Sequence, residues 1–533
     1  REYHEQTWDV SIESVAWDGE TLKLSGKFEP KDESGSFLMI ARPPDSLVAL
    51  SPQANECVGR WNPVIDQNKQ TWTLAIESTS QSPWLAAGTT FQAVRDTRET
   101  VEKYTPISTV RYCDVNASAQ STSRLAAPPE MQAAKGLTCI TSRFSVDQLR
   151  HLGLRHASVN ILLSGLVSAT KRDNWPTIRR NGRTWWVNEP RLRALDRNVH
   201  AINHAGAVTA GILLIRTRPD GQKGADGQKV SGGLPHPESS SAGTYAMPNL
   251  TTAASVERYA TTLEVLAKRY SGRSNNDRID HWIVHNEVDY GWQWTNMGLQ
   301  PMELFMDHYV RSMRLVDSAV RSQNPFARVF ISLTHRWNTK DNLHWKTYAP
   351  KAMLNWLIRD CQLHGDFPWG VAYHPYPQSL WQAATWNDTK VADHFDTELI
   401  TVKNLQVLDR FMKLDSSRTQ RGRVRPVICS EQGFHAVEDD PDQLRIQAAA
   451  LLYTWEKLRQ CSSILAFDYH RPSDHPREGG LRLGLRGQPS KQHPLGRKKP
   501  AWDVFMAIGT SDEAEIRNQY RDVWETESME PNE

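Results

Sequence analysis

Two short stretches have the residue types for acid–base chemistry. In HWIVHNEVDYGWQWTN, residues 281–296, the apolar run Trp282-Ile283-Val284 ends in His285-Asn286-Glu287. In PVICSEQGF, residues 426–434, a second apolar run ends in Ser430-Glu431-Gln432. A carboxylate at the end of a buried strand is costly unless it is paired or used. Two such carboxyls on either side of one glycosidic bond can break it. One protonates the leaving oxygen, and the other attacks the sugar carbon or activates water. The competing reading for each acid is an ordinary ion pair on a loop. Asp289 has a simpler alternative role, capping the turn that follows Glu287.

The elements that would position these acids begin at Gly136. Strand-like runs cover residues 136–140, 156–163, 210–217, 281–287, 327–335, 369–376, 426–432 and 464–470. Amphipathic segments lie between them. SVERYATTLEVLAKRYSG and DQLRIQAAALLYTWEKLRQ carry apolar residues at helical spacing, and the first stops at Gly272. Eight strands alternating with helices predict a (β/α)8 barrel over 136–533 with a C-terminal extension. A doubly wound open sheet would want a phosphate-cradling glycine loop after a strand, and none is so placed. Residues 1–115 contain short alternating runs such as TLKLSGKF and TWTLAIES between turn residues. They predict a β-sandwich accessory domain, and 116–135 reads as a linker or arm. Two loops after barrel strands are long. Residues 164–190 contain the hairpin signal Asn181-Gly182. Residues 218–250 are long enough for a functional lid.

In a barrel, polar residues at strand C-terminal ends are the catalytic candidates. Strand four then offers Asn286-Glu287 and strand seven offers Glu431. Strand six offers His374 and Tyr376, and strand eight Tyr469, His470 and Arg471. Asn160 on strand two and Arg216 at the end of strand three are sugar-binding candidates. The chain has 20 Trp in 533 residues. Trp faces suit sugars, which present apolar C–H faces with polar rims. Trp292, Trp294, Trp337 and Trp381 stand in polar contexts and are candidate subsite platforms, as is Trp386.

Asn-Glu ending strand four, with Glu ending strand seven and a His/Tyr strand six, resembles the clan A glycoside hydrolases. That resemblance covers about residues 135–510. It implies a retaining (β/α)8 hydrolase with Glu287 as general acid/base and Glu431 as nucleophile. It also implies that Asn286 holds a sugar 2-hydroxyl, with His374 and Tyr376 near the nucleophile. The chain departs from the clan at strand eight, where a Trp is common and Tyr469-His470-Arg471 stands instead. The stretches HNEVDYGWQWTNMG, AYHPYPQSLWQAATWND, SEQGF and YHRPSDHPREGGLRLGL also resemble a bacterial family of barrel proteins of unknown function. Physical chemistry agrees with the two roles. A general acid needs its pKa raised, which Trp292 and Trp294 would do for Glu287 by drying it. A nucleophile should stay ionised, and Tyr376 and Arg216 would favour that for Glu431.

Bulk properties narrow the alternatives. Basic and acidic residues number 63 and 61, a net charge of +2, so nothing marks a dedicated nucleic-acid binder. No apolar run is long enough to span a bilayer. The six cysteines form no CxxC pair, and Cys139 and Cys429 read as small core residues. No cofactor or metal is expected, since no clustered ligand spacing is present. The chain begins at Arg1, and the expectation is a secreted, periplasmic or cell-surface protein with its leader removed. The expected partner is a poly- or oligosaccharide. Lys171, Arg172, Arg179, Arg180, Arg183, Arg216, Arg218, Arg336 and Arg471 in the mouth loops raise the possibility of a sulfated or uronic glycan. Two other classes stay open: a non-catalytic carbohydrate-binding barrel and a metal-dependent hydrolase.

Overall fold

The computed structural model describes residues 2–29, 37–47, 51–79, 82, 88–95, 104–113, 125–141, 143–217, 233–273, 277–340 and 344–525. Eight parallel strands close into a barrel: Ala134–Leu137, His156–Leu162, Val208–Leu214, His281–Val284, Arg328–Thr334, Trp369–His374, Val427–Gln432 and Ile464–Tyr469. They are the eight runs read from the sequence. The helices Glu189–His204, Ala253–Arg269, Met302–Arg321, Pro350–His364, Gln406–Lys413 and Pro441–Leu458 follow successive strands.

Strand alternation divides the core in two. One face of each strand packs outward on the helices, forming the large cluster that includes Val159, Trp282, Ile331, Tyr373 and Phe467. The other face fills the lumen with Ala210, Ile212, Ile283, Phe330, Ala372, Ile428 and Ala466. Inward residues from one layer must share a narrow cross-section, which favours small side chains. A polar chain crosses the lumen below the mouth. His156 Nδ1 meets Asp468 Oδ1 at 2.7 Å, and His156 Nε2 meets His281 Nδ1 at 3.0 Å. Gly136 pairs beside both strands, and a Cβ there would lie 2.0 Å from Asp468 Oδ1.

The N-terminal region forms two antiparallel sheets. One holds Val10–Trp17, Thr21–Phe28, Thr71–Glu77 and Val64–Asp66 in that order. The other is built on Gly59–Trp61, Leu38–Arg42 and Thr90–Arg95. Leu22, Leu24 and Trp72 of the first share a core with Met39, Ala41 and Phe91 of the second. Residues 114–124, most of the expected linker's first half, lie outside the described residues, as do 218–232 of the long loop and Arg218 within it. Among the described residues, no helix is long and apolar enough to cross a membrane.

Arg314, on the helix Met302–Arg321, clamps the two regions together. Its Nη2 donates to Asp360 Oδ2 and to Gly365 O, each at 2.8 Å. Its guanidinium lies 4.2 Å from the centre of the Tyr112 ring and 4.7 Å from that of Phe367. Removing one partner of a buried ion pair costs up to about 3–5 kcal/mol, and Asp360 would keep only His364 Nδ1, at 2.7 Å, as its side-chain partner. Arg314→Met is therefore expected to lower Tm by several degrees in calorimetry. A shift within error of zero would show that this bridge does not hold the regions together.

Candidate active site

The catalytic candidates stand where regular strand geometry breaks. Strand four stops at Val284, and His285 and Glu287 adopt left-handed φ values of 65° and 38°. This rotation sends His285 out of the lumen, where its Nε2 meets Ser312 Oγ at 3.0 Å and its Nδ1 meets Leu213 O at 3.2 Å. Such backbone is unfavourable for residues other than glycine and marks sites where structure over-determines conformation. The Glu287 amide is fixed by donating to Ser332 Oγ at 2.9 Å. Strand seven carries a register shift against strand eight between Cys429 and Gln432. A bulge of this kind re-aims a side chain. Alternation from Ile428 would turn Glu431 outward, yet its carboxylate reaches residues of strands six and eight.

Glu287 Oε1 lies 2.8 Å from His374 Nδ1. The Tyr376 hydroxyl donates to Glu431 Oε1 at 2.9 Å. One oxygen of each carboxylate and a ring nitrogen of His374 all lie within 4.8 Å of one another. The same three donors could in principle share a cation, although Glu287 Oε1 and Glu431 Oε1 already have protein partners. On the strand-eight side, His470 Nδ1 is 3.9 Å from Glu431 Oε1 and 2.9 Å from Thr138 Oγ1. His470 Nε2 is 3.2 Å from Glu478 Oε1, and Arg471 Nη1 also donates to that oxygen.

The charges tune one another. Burial works to raise the Glu431 pKa, but His470, His374 and the Tyr376 hydroxyl outweigh it and hold the carboxyl below its ordinary value. Burial opposes a charged ring at His374, yet Glu431 and the bond to Glu287 raise its pKa. His470 is likewise opposed by burial and raised well above its ordinary value by Glu431, Cys139 and Glu478. Glu478 overcomes its own burial through His470 and Arg471 and falls to about 2. Asp289 is pushed up to about 7 by burial, and it accepts from Thr334 N at 2.9 Å and Thr334 Oγ1 at 2.5 Å. It thus secures the end of strand five beside Glu287, a tertiary use in place of the expected turn cap.

The other sequence candidates separate clearly. Asn160 is exposed within strand two, between the lumen residues Ser158 and Leu162, and Arg216 is exposed at the end of strand three. Neither side chain has a hydrogen-bond partner among the described residues. Asn286 is half-buried, and its backbone oxygen accepts from Thr295 Oγ1. Trp292 and Trp294 are half-buried, but their nearest ring partners are Lys346 and Tyr245, at 4.9 and 6.1 Å. The polar group against Glu287 is the His374 imidazole, so a hydrogen-bond contact stands where the two rings were expected. Trp381 is 56% exposed and leans edge-on against His435.

Four expectations are corrected. Trp337 is 0% exposed, gives its indole N–H to Phe395 O and packs on Phe411, so it is core and not a platform. Trp386 is buried against Tyr453 and Trp524. Tyr469 is 0% exposed and faces the helix layer near Phe434 and Phe505, because alternation puts Asp468 and His470 on the lumen side. Cys139 is no core residue: it is partly exposed, has φ 57°, and its Sγ is 3.9 Å from His470 Nδ1. Cys429, in contrast, is fully buried. Sequence reasoning missed Thr138, Ser332 and the specific role of Glu478.

Residues 127–530 match a family described as being of unknown function, DUF5722. No curated protein matches the chain. Among solved structures, a family 39 glycoside hydrolase from Bacteroides cellulosilyticus WH2 is similar at TM-score 0.45 and 13% identity, over 95% of this chain and 83% of that one. GH5_18 from Streptomyces cattleya, solved in complex with GlcNAc, is similar at 0.43 and 14%, over 76% and 83%. The beta-glucosidase from Pyrococcus furiosus is similar at 0.44 and 11%, over 72% and 87%.

The His470–Glu478 contact predicts a pH signature. Glu478 is depressed in the folded state, so its contribution is present above an unfolded pKa of about 4.3 and is lost as pH falls toward 2. His470 is raised, so its contribution is full below about 6.5 and is lost as pH rises through its folded pKa. The Tm difference between wild type and Glu478→Gln should therefore be largest between about pH 4.5 and 6.5. A difference that is flat from pH 3 to 10 would remove the ionic account of this contact.

Proposed function

The chain belongs to this family of unknown function through its barrel, and we propose that it is a retaining glycoside hydrolase acting on a poly- or oligosaccharide. The observation that carries the reading is the closeness of Glu287 and Glu431, with one oxygen of each within 4.8 Å of the other. Retaining enzymes hold their carboxyls about 5–5.5 Å apart, whereas inverting enzymes leave about 6.5–9.5 Å for a water.

In the proposed reaction Glu431 is the nucleophile. Its lowered pKa keeps it ionised, and the Tyr376 hydroxyl orients one oxygen. A Glu431 oxygen bonds to the anomeric carbon as the bond to the leaving oxygen breaks, and Glu287 gives that oxygen its proton. Water then attacks the glycosyl–enzyme bond. Glu287 takes the water's proton and the Glu431 carboxylate departs. His374 contacts Glu287 and is positioned to follow its change of charge. Asn160, Asn286 and Trp381 are the proposed sugar contacts.

An anionic sugar is the finer reading, and Arg216 carries it. Arg180, Arg183 and Arg471 are matched by Glu264, Glu257 and Glu478. Arg216 is exposed and faces no carboxylate among the described residues. Equal retention of the protein on neutral and sulfated polysaccharide columns at low salt would count against it.

Glu287→Gln should lower kcat on a hydrolysed glycan by about 10²–10⁴-fold, and Glu431→Gln should lose at least as much. NMR of the first product should show the substrate's anomeric configuration. The inverted anomer would eliminate double displacement. A wild type that hydrolyses no glycan, with both variants still binding one, would leave the non-catalytic binding barrel as the better reading.

A further inference from the structure

A second cluster lies away from the barrel mouth. The helix Glu189–His204 follows strand two and ends at the opposite, N-terminal face of the barrel. His200 and His204 sit four residues apart in its last turns, so they share one face. Their ring centres lie 3.8 Å apart, with the planes tilted by 33°. Asp277, just before strand four, faces both. His200 Nδ1 is 3.3 Å from its Oδ2, and His204 Nε2 is 3.9 Å from its Oδ1.

We propose that His200, His204 and Asp277 form a binding site for a divalent transition-metal ion of the zinc type. One donor atom from each residue lies within 4.8 Å of the others. Bonds of about 2.0–2.1 Å at tetrahedral angles would want donors about 3.3 Å apart. The two imidazoles have 54% and 57% exposed side chains, so small rotations can make up that difference. Two imidazoles with one carboxylate favour zinc, nickel, copper or cobalt over magnesium or calcium, which prefer all-oxygen sites. Water would complete the coordination.

The backbone on both sides of the cluster is already tied down. Asn203, between the two histidines, accepts from Arg278 N at 2.6 Å and donates to Arg278 O at 3.1 Å. Its Nδ2 also donates to Thr209 Oγ1 at 2.8 Å. Arg278 is the residue after Asp277. One side chain therefore sets the separation between the helix end and the turn that supplies the third ligand. This is the kind of support that pre-orients metal ligands. The site would clip the helix to the turn feeding strand four. At the barrel's N-terminal face such a clip serves stability and not chemistry. The inference is independent of the glycosidase reading.

Titration calorimetry of the EDTA-treated, dialysed full chain with zinc chloride at pH 7.5 tests it. Wild type should bind one zinc at this site. His200→Ala and His204→Ala should each weaken that binding at least 10-fold. Binding should also weaken from pH 7.5 to 5.5, as the imidazoles protonate. At zinc about 100 times Kd, the wild-type Tm should rise by about 2 °C for a chain of this length, and the His200→Ala Tm should not. Glu431→Gln separates this site from the donors at the mouth and should keep the zinc. No binding by wild type, equal binding by wild type and His204→Ala, or loss of binding in Glu431→Gln would each overturn the proposal.

Discussion

Two carboxylates held within 4.8 Å of each other are the constraint around which the barrel mouth is built. Like charges that close repel strongly where water is scarce. The protein answers with polar groups on both sides of the pair. His374 touches Glu287, and its proton affinity is raised by Glu431 together with that contact. Tyr376 donates to Glu431, and His470, just past strand eight, is a second imidazole whose pKa is raised beside it. Because Tyr376 lies two residues past His374, the last residue of strand six, a single strand end serves both acids. No local segment could do this, since the participants come from strands four, six, seven and eight.

Around that pair is a layer that holds its members in place. Glu478 and Thr138 fix the two nitrogens of His470, and Arg471 shares Glu478. Glu478 lies in a loop that is itself anchored from below. Lys499, almost fully buried, donates to Asp474, to Ala436 O and to Arg482 O. Ser332 fixes the Glu287 amide, and Asp289 holds the end of strand five. The left-handed residues His285 and Glu287 and the register shift before Gln432 belong to the same arrangement. Each turns a side chain that regular strand geometry would have aimed elsewhere.

Much of the fold was legible because it is written in periodicity. All eight barrel runs became strands, and the long amphipathic runs became helices. Asn181-Gly182 formed its hairpin, with both residues at positive φ between Arg180 and Arg183. Glu287, Glu431, His374 and Tyr376 stood out because polar residues rarely end apolar runs. The aromatic candidates were less legible. Trp337 and Trp381 both follow barrel strands in polar sequence, yet one is fully buried and the other more than half exposed. Tyr469 and His470 are adjacent, but strand alternation sends one to the helices and the other to the mouth. A residue's neighbours in sequence do not reveal which layer will cover it.

The sequence alone determined the succession of strands and helices, and with it a barrel whose polar strand ends gather at one mouth. Hydrophobic period and turn chemistry are local properties, so they survive reading along the chain. Tertiary structure alone decided that His374 and not a tryptophan meets Glu287, that Glu478 stabilises His470, and that Cys139 belongs to the mouth. It also brought Asp277 against His200 and His204. These are contacts between segments far apart in the chain. Their existence depends on closure of the barrel, on the bulge in strand seven and on the left-handed turn after strand four. No pattern of residue types along a single segment encodes those distances.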